Sequence, residues 1–157
     1  MVAVDTVSVS KAKRLPSNLS QIDILFTNKD EAISVLGLDD NLKTYKLDEI
    51  ATQLRSRGAK GVVLTDGPNG HLVNIGNEAF NSPAISSNVE NVSGAGDAFV
   101  AGFISTIRSG STVREASNMG AALSALTVES HLDVRQDLNN KLLSEYLKSK
   151  KIIKEHL

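Results

Sequence analysis

An α/β fold, with a mostly parallel sheet flanked by helices, is what this sequence predicts, and three observations carry that expectation. Strand-like apolar runs alternate with helix-like stretches along most of the chain, the order that places helices against a sheet. Gly61-Val62-Val63-Leu64-Thr65 is apolar almost without interruption, as a strand covered on both faces requires. A glycine-rich turn around Gly94, Ala95 and Gly96 runs directly into an apolar helical stretch.

The elements follow in order. Val2-Ala3-Val4, leading into Asp5-Thr6-Val7-Ser8, predicts a short opening strand. A helix over Ser10 to Leu15 then stops before Pro16, whose ring disfavours helical backbone in the residue before it. Ile22 to Thr27 is a second apolar strand. Asn28 is placed to cap a helix over Lys29 to Leu36, and Gly37 to end it. Ile50 and Leu54 give Asp48 to Arg57 one apolar helical face, and Gly58 closes that helix. Asp66-Gly67-Pro68-Asn69-Gly70 is a strong turn, and His71 to Ile75 is the returning strand. A polar loop is expected over 76–91. Helices are expected over Ala98 to Arg108, Val113 to Val128 and Leu138 to Ile153.

Composition narrows the classes of function. A chain of 157 residues suits one domain with one core. The formal net charge of -1 gives no basic field to gather nucleic acid. The clusters Lys11, Lys13, Arg14 and Lys148, Lys150, Lys151 fit solvated helix faces better than a binding stripe. With four Phe, two Tyr and no Trp, the chain is poor in stacking platforms for bases. The absence of cysteine excludes disulfides, thiolate chemistry and cysteine zinc sites. His71, His131 and His156 are scattered without metal-ligand spacing. No apolar stretch is long enough to span a bilayer and no secretory leader opens the chain, so no membrane partner is expected and the default location is cytoplasmic. The chain opens on a strand and offers few strands for the helices it must cover. A missing N-terminal segment, or another chain, is therefore expected to complete the sheet.

The chemistry concentrates in Asn91-Val92-Ser93-Gly94-Ala95-Gly96-Asp97-Ala98-Phe99. Small side chains at 94, 95 and 96 let backbone amides approach a ligand, and the helix that starts there aims free N–H groups at the same point. An anion site follows from those two facts. Asp97 has two readings on spacing alone. It can cap the first turn, or it can take a proton from an attacking hydroxyl beside a phosphate. The chain has neither the Gly-x-Gly-x-x-Gly of dinucleotide folds after its first strand nor a Walker A sequence.

This segment resembles the C-terminal signature of the PfkB, or ribokinase-like, family of carbohydrate and nucleoside kinases. Three other stretches agree in order: Asn28-Lys29-Asp30-Glu31-Ala32, Val62 to Gly70, and Asn118-Met119-Gly120-Ala121-Ala122. Within the family, Asp5-Thr6-Val7-Ser8 with Lys11-Ala12, and Ala125 to Ser130, are similar to the pseudouridine-kinase subgroup.

The resemblance implies a partial ribokinase-like fold in which residues 1–157 are the C-terminal nucleotide-binding and catalytic part, without the acceptor-binding first half and its lid. It implies ATP and Mg²⁺ as cofactors and a small-molecule nucleoside or sugar as substrate. Asp97 is then the general base, with Gly94, Ala95 and Gly96 as the anion hole. Asn28 and Glu31 act near magnesium and the phosphates, with Glu31 the metal residue. Thr65, Gly67 and Gly70 line the phosphate and ribose side, and Asn118 lies near adenine. Asn91 stands where many members carry an Asp linked to monovalent-cation binding, and the loss of that charge puts potassium activation in doubt. The competing expectation is a truncated, catalytically inactive nucleotide-binding or interaction module.

Overall fold

The computed structural model describes residues 1–38, 45–132 and 134–150, which fall into two compact units, Met1–Pro83 and Ala84–Leu157. The first unit is built on a five-stranded sheet in sequence order. Its strands are β1 (Ala3–Asp5), β2 (Ile24–Asn28), β3 (Gly61–Thr65), β4 (His71–Ile75) and β5 (Glu78–Ser82). β1, β2 and β3 pair in parallel, whereas β4 is antiparallel to both β3 and β5, so four of the five strands run the same way. The expected α/β architecture with a mostly parallel sheet is therefore present.

Three helices belong to this unit: α1 (Val9–Ala12), α2 (Lys29–Leu36) and α3 (Leu47–Ser56). Period-2 side-chain geometry turns Leu25, Val62, Leu64 and Leu72 toward one face, where they pack with Ala32, Ile33 and Leu36 of α2 and with Ile50, Ala51 and Leu54 of α3. Gly61, Val62, Val63 and Leu64 are all buried, as the uninterrupted apolar run requires. Arg57 ties the two helices together. Its guanidinium donates to the Val35 and Leu36 carbonyls at 2.8 and 2.9 Å, satisfying orphan groups at the end of α2.

One strand lies inside the expected polar loop 76–91. β5 is mostly exposed and polar, so its residues give no core signal, and its register comes from a tight turn in which Gly76 takes φ 60.

The second unit contains α4 (Ala95–Arg108), α5 (Val113–Val128) and α6 (Asn140–Ser149). α4 begins three residues before the expected Ala98, and the expected C-terminal end of α6, beyond residue 150, lies outside the described residues. α4 and α5 meet backbone to backbone. A Cβ on Gly102 would stand 2.9 Å from the Met119 carbonyl, and one on Gly120 would stand 2.9 Å from the Phe99 carbonyl. Phe99 stacks on Phe103 beside this seam, at 6.3 Å between ring centres. Further along, Ala122, Ala125 and Leu126 of α5 bury Tyr146 and Leu147 of α6. No helix among the described residues is long and apolar enough to cross a membrane.

Candidate active site

In the first unit, five of the residues expected in the site collect at the carboxyl end of the parallel strands. Asn28 closes β2 and Thr65 closes β3, and the two are register partners. Gly67 opens the 3-10 turn that follows (Gly67–Asn69) and Gly70 caps it, both with positive φ, at 51° and 96°. The turn is closed by Asp66 N–H donating to the Gly70 carbonyl at 2.8 Å. The two glycines thus serve the turn geometry whatever else they touch. In open α/β sheets this end of the strands is where ligands bind.

Glu31 stands one turn into α2, with 6% of its surface exposed. It forms a capping box with Asn28. The Asn28 side chain accepts from Glu31 N–H at 2.9 Å, and Glu31 Oε2 accepts from Asn28 N–H at 3.2 Å. A further donor, not assigned from the sequence, reaches Oε2: the hydroxyl of Thr6, at the end of β1. Thr6 Oγ1 also lies 3.0 Å from Thr27 Oγ1, and Thr6 itself is 3% exposed. Both donors converge on Oε2, and Oε1 accepts no bond from the described residues. The register partner of Thr65 on β4 is His71, whose burial pushes its imidazole down to about 4, so it is neutral near pH 7.

In the second unit, the glycine segment forms the first turn of α4. Gly94 takes the N-cap place in the left-handed region (φ 76), with no side chain to accept from the helix amides. Ala95, Gly96 and Asp97 are therefore the first three helical residues, whose N–H groups have no intrahelical acceptor; that of Ala95 donates to the Val92 carbonyl at 3.4 Å. A Cβ built at Gly96 meets no atom within 4 Å, so the chain's own packing does not demand glycine there. Asp97 is exposed in the first turn. The loop leading in is pinned by Asn91, whose side-chain oxygen accepts from Ser93 N–H at 2.9 Å while its amide donates to the His131 carbonyl at 3.4 Å. A carboxylate could supply the first bond but not the second, which gives Asn at this position a physical basis.

Asn118 lies on the neighbouring helix, two residues before Gly120, which packs against the Phe99 carbonyl of α4. It sits half-buried in α5, ten residues before Val128, whose carbonyl receives Glu90 and Asn91 N–H, a separation of about 15 Å along the helix axis. No cluster of three or more His, Asp or Glu side chains able to hold a metal is found among the described residues. Magnesium in phosphoryl-transfer sites is typically held by one or two carboxylates and by substrate oxygens, and Glu31 Oε1 fits that limited role.

A helix start with small residues, no side-chain cap and an exposed carboxylate in its first turn is of a kind that can receive an anion. The pfkB family of carbohydrate kinases matches residues 1–138, and the chain belongs to that family. It is 32% identical over 111 residues to the ATP-dependent 6-phosphofructokinase of Thermoanaerobacterium thermosaccharolyticum, covering 71% of this chain and 33% of that protein. It is 31% identical over 144 residues to the pseudouridine kinase of Escherichia coli, covering 88% of this chain and 44% of the relative. In fold it superposes on the Arabidopsis thaliana ribokinase complexed with ribose and ATP, with a TM-score of 0.77 at 23% identity, covering 94% of this chain and 47% of that one. The chain spans between about a third and a half of the length of these relatives.

Proposed function

We propose that residues 1–157 are the C-terminal nucleotide-binding and catalytic part of an ATP-dependent kinase. Its reaction transfers a phosphoryl group to an alcohol of a ribosyl compound, with conversion of pseudouridine to pseudouridine 5'-phosphate as the leading case. The observation that carries this reading is the start of α4, where the amides of Gly96 and Asp97 have no acceptor from a capping side chain and stand beside an exposed Asp97 carboxylate. Amides so placed favour the equatorial oxygens of a phosphoryl group in transfer. Asp97 accepts the proton of the acceptor hydroxyl as that oxygen attacks phosphorus and ADP departs. Gly94, in the left-handed region, turns the chain into the helix so that these amides point outward. Asn28 and Glu31 hold the magnesium-bound phosphates, Thr65, Gly67 and Gly70 border the phosphate and ribose side, and Asn118 borders adenine. Bound Mg²⁺ would neutralise phosphate charge at this site.

Pseudouridine is favoured over fructose 6-phosphate or ribose by the Asp5-Thr6-Val7-Ser8 run and by the length of the match to the Escherichia coli enzyme. Cytoplasmic location and a complementing segment or second chain for the acceptor side are part of the same reading. A second reading is a nucleotide-binding module without turnover.

Calorimetric titration with Mg-ATP, followed by an ADP-release assay with pseudouridine, ribose or fructose 6-phosphate, separates the two. Saturable binding with pseudouridine-dependent ADP release supports the kinase, and binding without turnover supports the module. A cooperatively folded chain that does not bind Mg-ATP sinks both.

A further inference from the structure

We infer that Thr6 is a positioning residue for the Glu31 carboxylate, an inference that rests on the kinase reading above. A helix cap does not need Thr6. The box formed by Asn28 and Glu31 is complete without it, yet Thr6 reaches Glu31 from a different strand, 25 positions away in sequence. Both groups are nearly sealed from solvent, at 3% and 6% exposure, and a buried carboxylate is costly unless its hydrogen bonds are made. The two donors on Oε2 fix the plane of the carboxylate and leave Oε1 without a donor among the described residues. A hydroxyl that orients a carboxylate from behind, while the other oxygen stays available, is the arrangement that tunes a metal-binding oxygen.

The backbone that delivers Thr6 is strained. Ser8 N–H donates to the Thr6 carbonyl at 2.7 Å across Val7, which takes φ 64. That is a tight three-residue turn in a region β-branched residues avoid. Val7 is 57% exposed, so its own packing does not explain the conformation. Asp5 Oδ1 accepts from Val7 N–H at 3.2 Å and holds the turn from the other side. What the turn secures is the inward placement of Thr6.

The test is calorimetric titration of the full chain with ATP, in Mg²⁺ and in EDTA, for the wild type and for Glu31→Gln, Thr6→Val and Thr6→Ser. The expected result is that Mg²⁺ tightens ATP binding in the wild type and that E31Q removes the tightening. T6V should weaken it by about tenfold at unchanged metal-free affinity, and T6S should keep it. If E31Q loses the tightening and T6V retains it in full, the inference is overturned and the kinase reading stands. A wild type whose ATP affinity ignores Mg²⁺ overturns both. Should T6V fail to unfold cooperatively, T6S and T6A carry the comparison. Metal dependence that survives in T6S and drops in T6A follows the hydroxyl and supports the inference. A drop in T6S follows the methyl group and overturns it.

Discussion

Two helices in this chain begin beside residues expected to meet phosphate, and they begin in opposite ways. α2 is closed at both ends. Asn28 and Glu31 exchange hydrogen bonds at its start, while Gly37 in the left-handed region and the Arg57 guanidinium satisfy its last carbonyls. α4 starts on a glycine with no side-chain acceptor; Ala95 N–H turns back to the Val92 carbonyl at 3.4 Å, and the amides of Gly96 and Asp97 have no capping side chain. One helix start is organised as structure that also presents a carboxylate. The other gives up cap stability, typically about 1 kcal/mol, to keep its donors available. Stability and ligand binding should therefore respond in opposite directions at the two starts.

The largest expected effect is at the open start. Asp97→Asn removes the proton acceptor but keeps the shape, and it should lower phosphoryl transfer by roughly 10²- to 10⁴-fold. Mg-ATP affinity should stay within about twofold of wild type, read by calorimetry beside steady-state rates, since an uncharged side chain removes no phosphate contact. Equal loss of rate and affinity would make Asp97 a helix-start residue rather than a base.

Next is the first unit's response to acid. His71 titrates at about 4 in the folded chain against 6.5 when exposed, so between these values the unfolded chain binds the extra proton. Its contribution is complete above pH 6.5 and is lost as pH falls toward 4, a change of about 3 kcal/mol. Urea unfolding across that range should show the loss, and His71→Gln should flatten it.

Asn28→Ala opens the closed start. It leaves Glu31 N–H without its cap and should cost about 1 kcal/mol in urea midpoint analysis. The smallest effect is the most discriminating. Gly96→Ala places a methyl where nothing stands within 4 Å, and helix propensity should stabilise the chain by about 0.5–1 kcal/mol. The same methyl should weaken Mg-ATP binding, measured on the same protein. A stabilised variant with undiminished affinity would contradict the view that glycine is kept there for a ligand.

The contrast also explains what the sequence discloses. α2 was legible to the residue, because Asn28, Glu31 and Gly37 are the local chemistry of a capped helix. β3 was legible because four consecutive buried residues leave no other explanation. The start of α4 lies three residues before the expected Ala98, since a left-handed glycine carries no cap signature. β5 is not legible, because a polar, exposed edge strand is defined by its partner. Of the site, the glycine segment and the Asn-x-x-Glu pair were visible as motifs. The bond from Thr6 to Glu31 was not, because it joins residues that only the sheet brings together. Asn91 was noticed as a departure, but its bond to the His131 carbonyl depends on a loop forty positions away.

The seam between Gly102 and Gly120 has a mechanical consequence. Side chains that separate most helix pairs hop between rotamers and let the axes breathe, whereas here main chain rests on main chain. The spacing of α4 from α5 is thus set by peptide geometry, which is stiff on every timescale short of local unfolding. A larger residue at Gly102 or Gly120 would therefore have to push the two helix backbones apart, shifting the helix that carries Asp97.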